Sequence, residues 1–399
     1  MHVFVNSLAA SAGGGLTYIR NVIPEMAARP GLQVTVAANA GLRGEFQNFA
    51  NVDFVELKLS PVRRSWYEQF VLPRIIRSSR ADLLLSTGNF ALRNSPVPQI
   101  LLSRNSLYSS ADFYRDLLAR GEYRIWLNTH VRGLLARKSV AWADVTVAPS
   151  EAFAAELRRW TGGTRILAIH HGFDREAFIR DRAPLTAEVQ EKLRPTDGAV
   201  KLLFVSHYNY YRNFETLVRA LPLLRDRLPN RKVKLLLTCK LVPGANPGPY
   251  RTNAAARLIG DLGVSDMVFE LGTVPYHQLH HLYRLADLYM TPAYAETFAH
   301  PLVEAMSSGL PVVASDIPVH REICADAAVY FPRFSVDDLA DRVTELVTSA
   351  DLVAGLSEKG KARSAAFNWK KHVDELLAMA DSLLAARTVS AMHRVAASS

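Results

Sequence analysis

The sequence has only two cysteines, Cys239 and Cys324, among its 399 residues. So few cysteines make neither a disulfide framework nor a metal site, and they suit a reducing compartment. Apolar runs that approach the roughly 20 residues of a membrane span are also missing. The opening residues, MHVFVNSLAA, lack the basic start and the long apolar core of a signal peptide. We therefore expect the protein in the cytoplasm.

Acidic residues are in the minority, which gives a formal net charge of +9 at pH 7. This balance favours an anionic partner: nucleic acid, an acidic membrane surface or a phosphorylated substrate. Zinc-finger spacings, the RNA-recognition signature and alternating basic and aromatic residues are all absent from the sequence. The charge alone does not choose a partner, but no motif favours nucleic acid.

The length of the chain predicts two domains. A chain of 399 residues is long for one hydrophobic core, and an apolar content of 49% is ordinary for a folded protein. Short apolar strands alternate with helical segments, which is typical of α/β domains. A charged stretch over residues 174–199 contains Pro184, Pro195 and Gly198 and suits a linker. We place the first domain at residues 1–180 and the second at residues 181–368.

One stretch, residues 287–322, predicts a strand, a loop, a helix and a second strand. Leu288–Met290 is a short apolar run that suits a buried parallel strand. Pro301 suits the first turn of the helix, where its missing N–H costs nothing, and Gly309 suits a left-handed helix cap. A loop of residues 293–300 therefore leads from the end of a buried strand into a helix.

Two carboxylates bracket this helix entrance, Glu296 in the loop and Glu304 about one turn inside the helix. The unpaired backbone amides between them offer a site for an anion such as a diphosphate. The carboxylates can accept hydrogen bonds from sugar or ribose hydroxyls on either side of that diphosphate. The residues equally allow a plainer interpretation, in which both carboxylates only complement the positive end of the helix dipole.

Seven residues separate Glu296 from Glu304 within ETFAHPLVEAMSSGLPVVAS. This pattern closely resembles the E-x7-E signature of retaining glycosyltransferases of family 4, and the resemblance extends from the first strand to Phe367-Asn368-Trp369. It implies the GT-B fold, an α/β architecture in which two Rossmann-like, doubly wound domains face each other across a cleft. It also implies that the C-terminal helix, residues 369–390, packs back on the first domain.

The resemblance assigns a donor site to the second domain. Glu296 would position the transferred sugar, and Glu304 would hold the ribose hydroxyls. Arg212 stands where the family usually has a diphosphate-binding lysine, whereas His207 replaces the usual arginine. By its position after a predicted strand, Lys240 is either the missing second cation or a surface lysine. The other residues implied to contact the donor are Thr273, Val274, Thr297, Phe298, Ala299, His300, Pro301 and Leu302.

In the first domain, the run Ala12-Gly13-Gly14-Gly15 lies between the first strand and the first helix. Such a turn either lets a ligand approach the backbone or is simply tight. The resemblance places Gly14 and Gly15 beside the donor phosphates and the acceptor. Many family members carry a sugar-contacting histidine where this sequence has Arg104 and Asn105. Asn105 can still bond a sugar hydroxyl, or the two residues form a plain turn.

No Asp-x-Asp pair occurs in the sequence. Metal-dependent glycosyltransferases of the other main fold use that pair to hold a cation, so the resemblance implies transfer without a metal or another cofactor. Arg212, Lys240 and the helix-entrance amides would stabilise the leaving charge instead. The predicted enzyme moves a sugar, with retention, from a nucleotide-diphosphate sugar to a hydroxyl acceptor in cell-surface polysaccharide or glycolipid synthesis.

Other interpretations stay open. A nucleotide-sugar epimerase or hydrolase shares the GT-B fold, and a non-catalytic anion-binding protein would suit the altered positions His207 and Arg104. Residues 63–77, rich in arginine and aromatics, either lie on an anionic bilayer or pack on the sheet. Residues 113–139 predict one long basic helical region. A lipid-linked acceptor and a peripheral contact with the inner membrane face are further expectations.

Overall fold

The computed structural model describes residues 1–10, 14–39 and 41–398. The chain divides into two compact units, each with its own core. Unit 1 comprises Met1–Ser109, Leu127–Gly172 and Asn368–Ser399, and unit 2 comprises Ser110–Trp126 and Phe173–Phe367. The chain therefore passes between the units four times rather than once.

The strands of unit 1 are β1 (His2–Asn6), β2 (Gln33–Asn39), β3 (Val52–Leu57), β4 (Leu83–Ser86), β5 (Gln99–Leu102), β6 (Val145–Ala148) and β7 (Ile166–Ala168). The strands of unit 2 are β8 (Val200–Phe204), β9 (Val233–Leu237), β10 (Val268–Glu270), β11 (Leu288–Thr291), β12 (Val312–Ser315) and β13 (Ala328–Phe331).

The helices, in chain order, are α1 (Gly14–Ala27), α2 (Pro61–Phe70), α3 (Leu72–Ser78), α4 (Ala111–Ala119), α5 (Tyr123–Trp142), α6 (Glu151–Thr161), α7 (Arg175–Ile179), α8 (Ala187–Leu193), α9 (Phe214–Arg227), α10 (Asn253–Asp261), α11 (Leu279–Leu285), α12 (His300–Ser307), α13 (Pro318–Cys324), α14 (Val336–Thr348), α15 (Ala350–Ser364) and α16 (Trp369–Ser398).

Both sheets are parallel and doubly wound. In unit 1 the strand order is β3-β2-β1-β4-β5-β6-β7, and in unit 2 it is β10-β9-β8-β11-β12-β13. The order reverses where β1 pairs with β4 and where β8 pairs with β11. Ligands of open α/β sheets bind beyond the carboxyl ends of the strands at such reversals. This architecture confirms the predicted fold class.

Alternation along β1 explains the layering of unit 1. Val3 and Val5 point to the face that α1 and α16 cover, where Tyr18 and Trp369 are also buried. Phe4 points to the opposite face and packs in a separate cluster that includes residues of α3. Successive side chains of a strand leave on opposite sides, so one apolar strand supplies both layers.

Gly309 ends helix α12 as the sequence predicts. Its φ is +73°, its N–H donates to the Met306 carbonyl at 3.0 Å, and the next amide, that of Leu310, donates to the Ala305 carbonyl at 2.9 Å. These two bonds form a Schellman motif, which satisfies carbonyls that a helix end otherwise leaves unpaired.

Two helical predictions differ from the structure. The long helical region predicted over residues 113–139 consists of two helices, because Gly121, at a φ of +69°, separates α4 from α5. The C-terminal helix predicted to end at residue 390 continues to Ser398, since no glycine or proline follows Trp369 in the sequence. In addition, Ser110–Trp126, which we placed in the first domain, makes its contacts within unit 2.

Both cysteine thiols, Cys239 and Cys324, are free and buried. Burial raises the pKa of each thiol to about 12, so neither is a reactive thiolate at neutral pH. Within the part of the chain that the structure describes, no helix is both long enough and apolar enough to cross a bilayer.

The contact between Gly172 and α16 yields a prediction for stability. A methyl group on Gly172 would lie 2.1 Å from the Trp369 backbone nitrogen. Backbone cannot yield as a flexible side chain can, so Gly172→Ala should destabilise unit 1 by about 3 kcal/mol. Differential scanning calorimetry would show this as a lowered transition temperature.

Gly355→Ala is the matched control, because Gly355 lies inside α15 and a methyl group there meets no atom within 4 Å. The control should be neutral or stabilising by up to about 1 kcal/mol. Equal transition temperatures for Gly172→Ala and the wild type would show that α16 does not pack against Gly172 as described.

Candidate functional site

The residues predicted to bind the donor lie beyond the carboxyl ends of four neighbouring strands of unit 2. His207 and Arg212 follow β8, and Lys240 follows β9. The loop with Thr273 and Val274 follows β10, and the loop with Glu296 follows β11. Because parallel strands end at the same edge of a sheet, the topology brings these loops to one edge.

Arg212 and Glu296 form an ion pair between the β8 and β11 loops. The Arg212 guanidinium donates to Glu296 Oε1. Both side chains are largely buried, and the guanidinium lies 5.1 Å from the ring centroid of Tyr211. The Nε of Arg212 is buried and has no hydrogen-bond partner among the described residues. The guanidinium therefore retains a donor for an anionic ligand.

Asn213 fixes this pair by joining the two loops. It follows the 3₁₀ turn Tyr210–Arg212 and adopts a left-handed φ of 56°. Its side-chain amide donates to the carbonyls of Pro292, at 3.1 Å, and Arg333, at 2.8 Å. Asparagine tolerates this conformation better than most residues. Only that general tolerance could have identified Asn213 from the sequence.

Glu304 lies on α12 and is almost completely buried. The Tyr283 hydroxyl donates to Glu304 Oε2 at 2.8 Å, and Tyr276 forms a second side-chain hydrogen bond with Glu304. Burial raises the pKa of Glu304 to about 7, against these two hydrogen bonds, which lower it. The carboxyl group is thus poised between its neutral and charged forms near pH 7. The hydrogen bonds from the two tyrosines to Glu304 could not be identified from the sequence, because they join residues that are distant along the chain.

The entrance of α12 is formed by Ala299 and Pro301. Ala299 precedes the helix in the left-handed region, at φ 64° and ψ 66°, and Pro301 stands in the first turn. The Phe298 ring is buried and anchors the loop. Its centroid lies 5.3 Å from that of the Phe367 ring. A strained non-glycine residue at such a position is typical of functional loops.

His207 and Lys240 contribute differently from one another. Desolvation, and then the charge of Arg212, lower the pKa of His207, which favours the neutral imidazole. The Lys240 ammonium lies 3.7 Å from Glu188 Oε1, and its aliphatic stem crosses Gly272, whose φ is +83°. Lys240 thus lies beside the loop that carries Thr273 and Val274. The described contacts do not bring it to the Arg212–Glu296 pair.

In unit 1, Arg104 is directed towards the glycine-rich turn. Its guanidinium donates to the carbonyls of Thr87, at 2.7 Å, and Gly14, at 3.3 Å, and it lies 4.8 Å from the Tyr18 ring centroid. Helix α1 begins at Gly14, and Ala12 and Gly13 lie outside the described residues. Arg104 therefore holds the start of α1 by its backbone.

Asn105 caps a short helical turn, with Oδ1 accepting from the Leu107 amide at 3.1 Å. The side-chain carbonyl of Asn105 is therefore already engaged within its own turn.

Gly15 allows a close approach between the loop after β1 and helix α1. A methyl group on Gly15 would lie 3.2 Å from Ala10.

Within the described residues, no three His, Cys, Asp or Glu side chains are grouped to hold a metal ion.

Comparison with solved structures identifies the fold of the protein. Sucrose-phosphate synthase from Thermosynechococcus elongatus superposes with a TM-score of 0.71 at 18% identity, covering 96% of this chain and 99% of that one. Anabaena HepE in complex with UDP-glucose gives 0.69 at 17% identity, covering 96% of this chain and 100% of that one. At this identity the likeness concerns the fold, which is that of GT-B glycosyltransferases.

Sequence comparison supplies the family. The model described as Glycosyltransferase Family 4 matches residues 12–177, and the model described as Glycosyl transferases group 1 matches residues 186–363. The chain belongs to glycosyltransferase family 4, as its sequence predicts.

Curated relatives include two enzymes named D-inositol 3-phosphate glycosyltransferase. The one from Nocardia farcinica is 30% identical over 246 residues, which is 60% of this chain and 53% of the relative. The one from Mycolicibacterium smegmatis is 30% identical over 222 residues, which is 54% of this chain and 47% of the relative. The chain thus spans about half the length of the relatives it matches.

The raised pKa of Glu304 predicts how stability depends on pH. The unfolded carboxyl titrates near 4.5 and the folded one near 7, so the folded state binds more protons between these values. Its contribution to stability is complete below pH 4.5 and is lost as the pH rises through 7. Compared with the wild type, Glu304→Gln should therefore gain up to about 3 kcal/mol between pH 5 and pH 8.

Urea unfolding of both proteins at the two pH values measures this difference. Glu358→Gln, the same substitution at an exposed position, is the matched control. A Glu304→Gln difference that does not grow with pH would contradict the raised pKa.

Proposed function

We propose that this protein is a retaining glycosyltransferase that moves a sugar from a nucleotide-diphosphate sugar to a hydroxyl acceptor. The observation that carries the proposal is the Arg212–Glu296 pair beside the entrance of α12, at the reversal of the unit 2 sheet. A helix entrance, a cation with a spare donor and two carboxylates suit a diphosphate flanked by two sugars. The relative HepE, solved with UDP-glucose, supports this donor class.

In the proposed reaction the acceptor oxygen attacks the anomeric carbon while the bond from that carbon to the diphosphate oxygen breaks. The leaving diphosphate takes the proton of the acceptor. Arg212 and the backbone at the entrance of α12 would stabilise the charge that develops on the diphosphate, without a metal ion. Because attack and departure share one face of the sugar, the anomeric configuration is retained.

Each carboxylate has a distinct proposed role. Donor binding would draw the Arg212 guanidinium towards the diphosphate, and Glu296 would then accept hydrogen bonds from the sugar hydroxyls. Glu304 would accept from the ribose hydroxyls, beside Tyr283. Lys240, His207, Thr273 and Val274 would line the nucleotide end of the site. In unit 1, Gly14, Gly15, Arg104 and Asn105 remain the proposed contacts of acceptor and sugar.

For the acceptor we propose a lipid-linked or polysaccharide intermediate that is met at an anionic bilayer surface. Support comes from α5, where Leu127, Val131 and Leu134 are 58%, 56% and 51% exposed along one helical face, followed by Lys138. The sequence of α5 contains no acidic residue. Exposed apolar and basic side chains without acids complement anionic headgroups.

Nucleotide binding tests the donor site. A thermal-shift screen of UDP, GDP, ADP, CMP and dTDP in EDTA should give one selective stabilisation, since a ligand well above its Kd adds a few kcal/mol, roughly 2–4. Glu304→Ala should weaken that nucleotide at least about tenfold by calorimetric titration. Glu296→Ala should bind it normally but lower kcat about a hundredfold, because the carboxylate acts on the sugar.

The absence of any nucleotide shift from folded protein would refute the proposed function. Donor hydrolysis or epimerisation without an acceptor would show that the site binds nucleotide sugars but is not a transferase. Wild-type binding and turnover in both variants would remove Glu296 and Glu304 from the site.

The α5 face predicts vesicle binding. The wild type should sediment with phosphatidylglycerol–phosphatidylcholine vesicles, less so at high salt and not with phosphatidylcholine alone. Replacing Leu127, Val131 and Leu134 together by glutamine should weaken binding at least about tenfold. Leu167→Gln, at another exposed leucine of unit 1, is the control. If the triple variant sedimented with vesicles as well as the wild type, the bilayer would be rejected as the partner. The same conclusion would follow if the wild type were a dimer and the triple substitution dissociated it.

A further inference from the structure

Helix α4 lies early in the sequence but packs within unit 2. Its Asp112 and Asp116, together with Arg120 at its end, are spaced four residues apart and therefore share one helical face. Each of these charged side chains bonds to a residue far along the chain. The partners are, in that order, Arg333 at 2.8 Å, Tyr294 at 2.7 Å and Glu215 at 2.8 Å.

Asp116 holds the loop that carries Glu296. The buried Tyr294 hydroxyl donates to Asp116 Oδ2, and Arg120 Nε donates to Asp116 Oδ1 at 2.7 Å. Both oxygens of the carboxylate are thus engaged, which fixes its orientation. Tyr294 stands two residues before Glu296, and its own N–H donates to the carbonyl of Tyr211, next to Arg212, at 3.0 Å.

The same segment also holds the turn that carries Arg212. The Phe113 ring packs edge-on against the Tyr211 ring, with centroids 6.4 Å apart. The Arg120 guanidinium lies 4.3 Å from the Tyr210 ring centroid. The Tyr210 hydroxyl donates to the buried carboxylate of Glu122 at 2.8 Å. The 3₁₀ turn Tyr210–Arg212 is therefore held from the α4 side by a ring–ring contact, a cation–π contact and a hydrogen bond.

The contacts of this segment are concentrated around the ion pair rather than spread over unit 2. Tyr210, Tyr211, Glu215 and Tyr294 all lie within three residues of Arg212 or Glu296. Two further partners, Arg333 and Arg251, are farther away in the sequence but bond to the same region. Arg333 accepts through its carbonyl from Asn213, which joins the two loops. Arg251 pairs with Glu122 at 3.3 Å, and its N–H donates to the Tyr210 hydroxyl at 2.9 Å. A segment that only stabilised unit 2 would not need to contact residues so close to the ion pair.

We propose that residues 111–122 form the positioning element of the Arg212–Glu296 pair, and that Asp116 positions Glu296 through Tyr294. This inference rests on the proposed function for its effect on turnover, but not for its effect on the loop. A displacement of about 1 Å at a reacting centre can lower a rate about a hundredfold, so a single lost hydroxyl can matter for turnover.

The test removes that hydroxyl by Tyr294→Phe, with Tyr330→Phe as the matched control. Tyr330 donates its hydroxyl to the Ala325 carbonyl at 2.6 Å, elsewhere in unit 2. For Tyr294→Phe, amide hydrogen exchange over residues 292–298 should accelerate at least about fivefold, since the loop opens more often. kcat should fall about tenfold, while affinity for the bound nucleotide changes less than about threefold, because Glu304 and α12 keep their contacts.

Asp116→Ala should also accelerate the exchange and lower kcat. Adding Tyr294→Phe to Asp116→Ala should cause no further loss, since the Tyr294 hydroxyl has then already lost its acceptor. Asp116→Asn retains an acceptor oxygen and should recover part of the turnover. Unchanged exchange over residues 292–298 in Tyr294→Phe would overturn the positioning role, whatever the activity. Equal losses of turnover in Tyr294→Phe and Tyr330→Phe would also overturn it. A wild type without transfer would refute only the proposed function, since the exchange measurement decides the positioning role by itself.

Discussion

The pairing of β8 with β11 is the constraint on which the candidate site depends. Where the strand order reverses, the two loops that leave these neighbouring strands turn to different helices, and a gap opens between them. Arg212 comes from one loop and Glu296 from the other. Two opposite charges at a largely desolvated edge hold each other in place, because either one alone would be costly to bury. The pair thus keeps both charged groups at this edge of the sheet.

Much of the fold follows from the sequence because its signals are local. Buried parallel strands are short apolar runs, and the predicted strand Leu288–Met290 lies within β11. Pro301 and Gly309 mark the two ends of a helix through their own backbone preferences. The family was recognisable from Glu296 and Glu304 because their spacing is fixed along the chain. Both the family and the fold class are confirmed, whereas the roles of the individual site residues stay predictions.

The rest depends on contacts between distant residues, which leave no local pattern. Asp116 and Tyr294 are separated by 178 positions, and each looks like an ordinary helix or loop residue. Gly121 ends α4, yet a single glycine in a helical pattern is often tolerated. Lys240 follows a strand as expected, but its pairing with Glu188 depends on where α8 folds. Arg104 likewise donates hydrogen bonds to the carbonyls of Thr87 and Gly14, which only the tertiary structure brings close to it.

The fourfold passage of the chain between the two units has a consequence for protein engineering. Proteins built from two units invite the construction of chimaeras that join one half of the sequence to half of a homologue. A simple cut near residue 180 would leave α4 in one parent and its partners Tyr294 and Glu215 in the other, and it would remove α16 from the core of unit 1. A chimaera that respects the contacts exchanges Ser110–Trp126 together with Phe173–Phe367 and keeps the C-terminal helix with the N-terminal strands. In this protein, the segments that must be exchanged together are neighbours in space and not along the sequence.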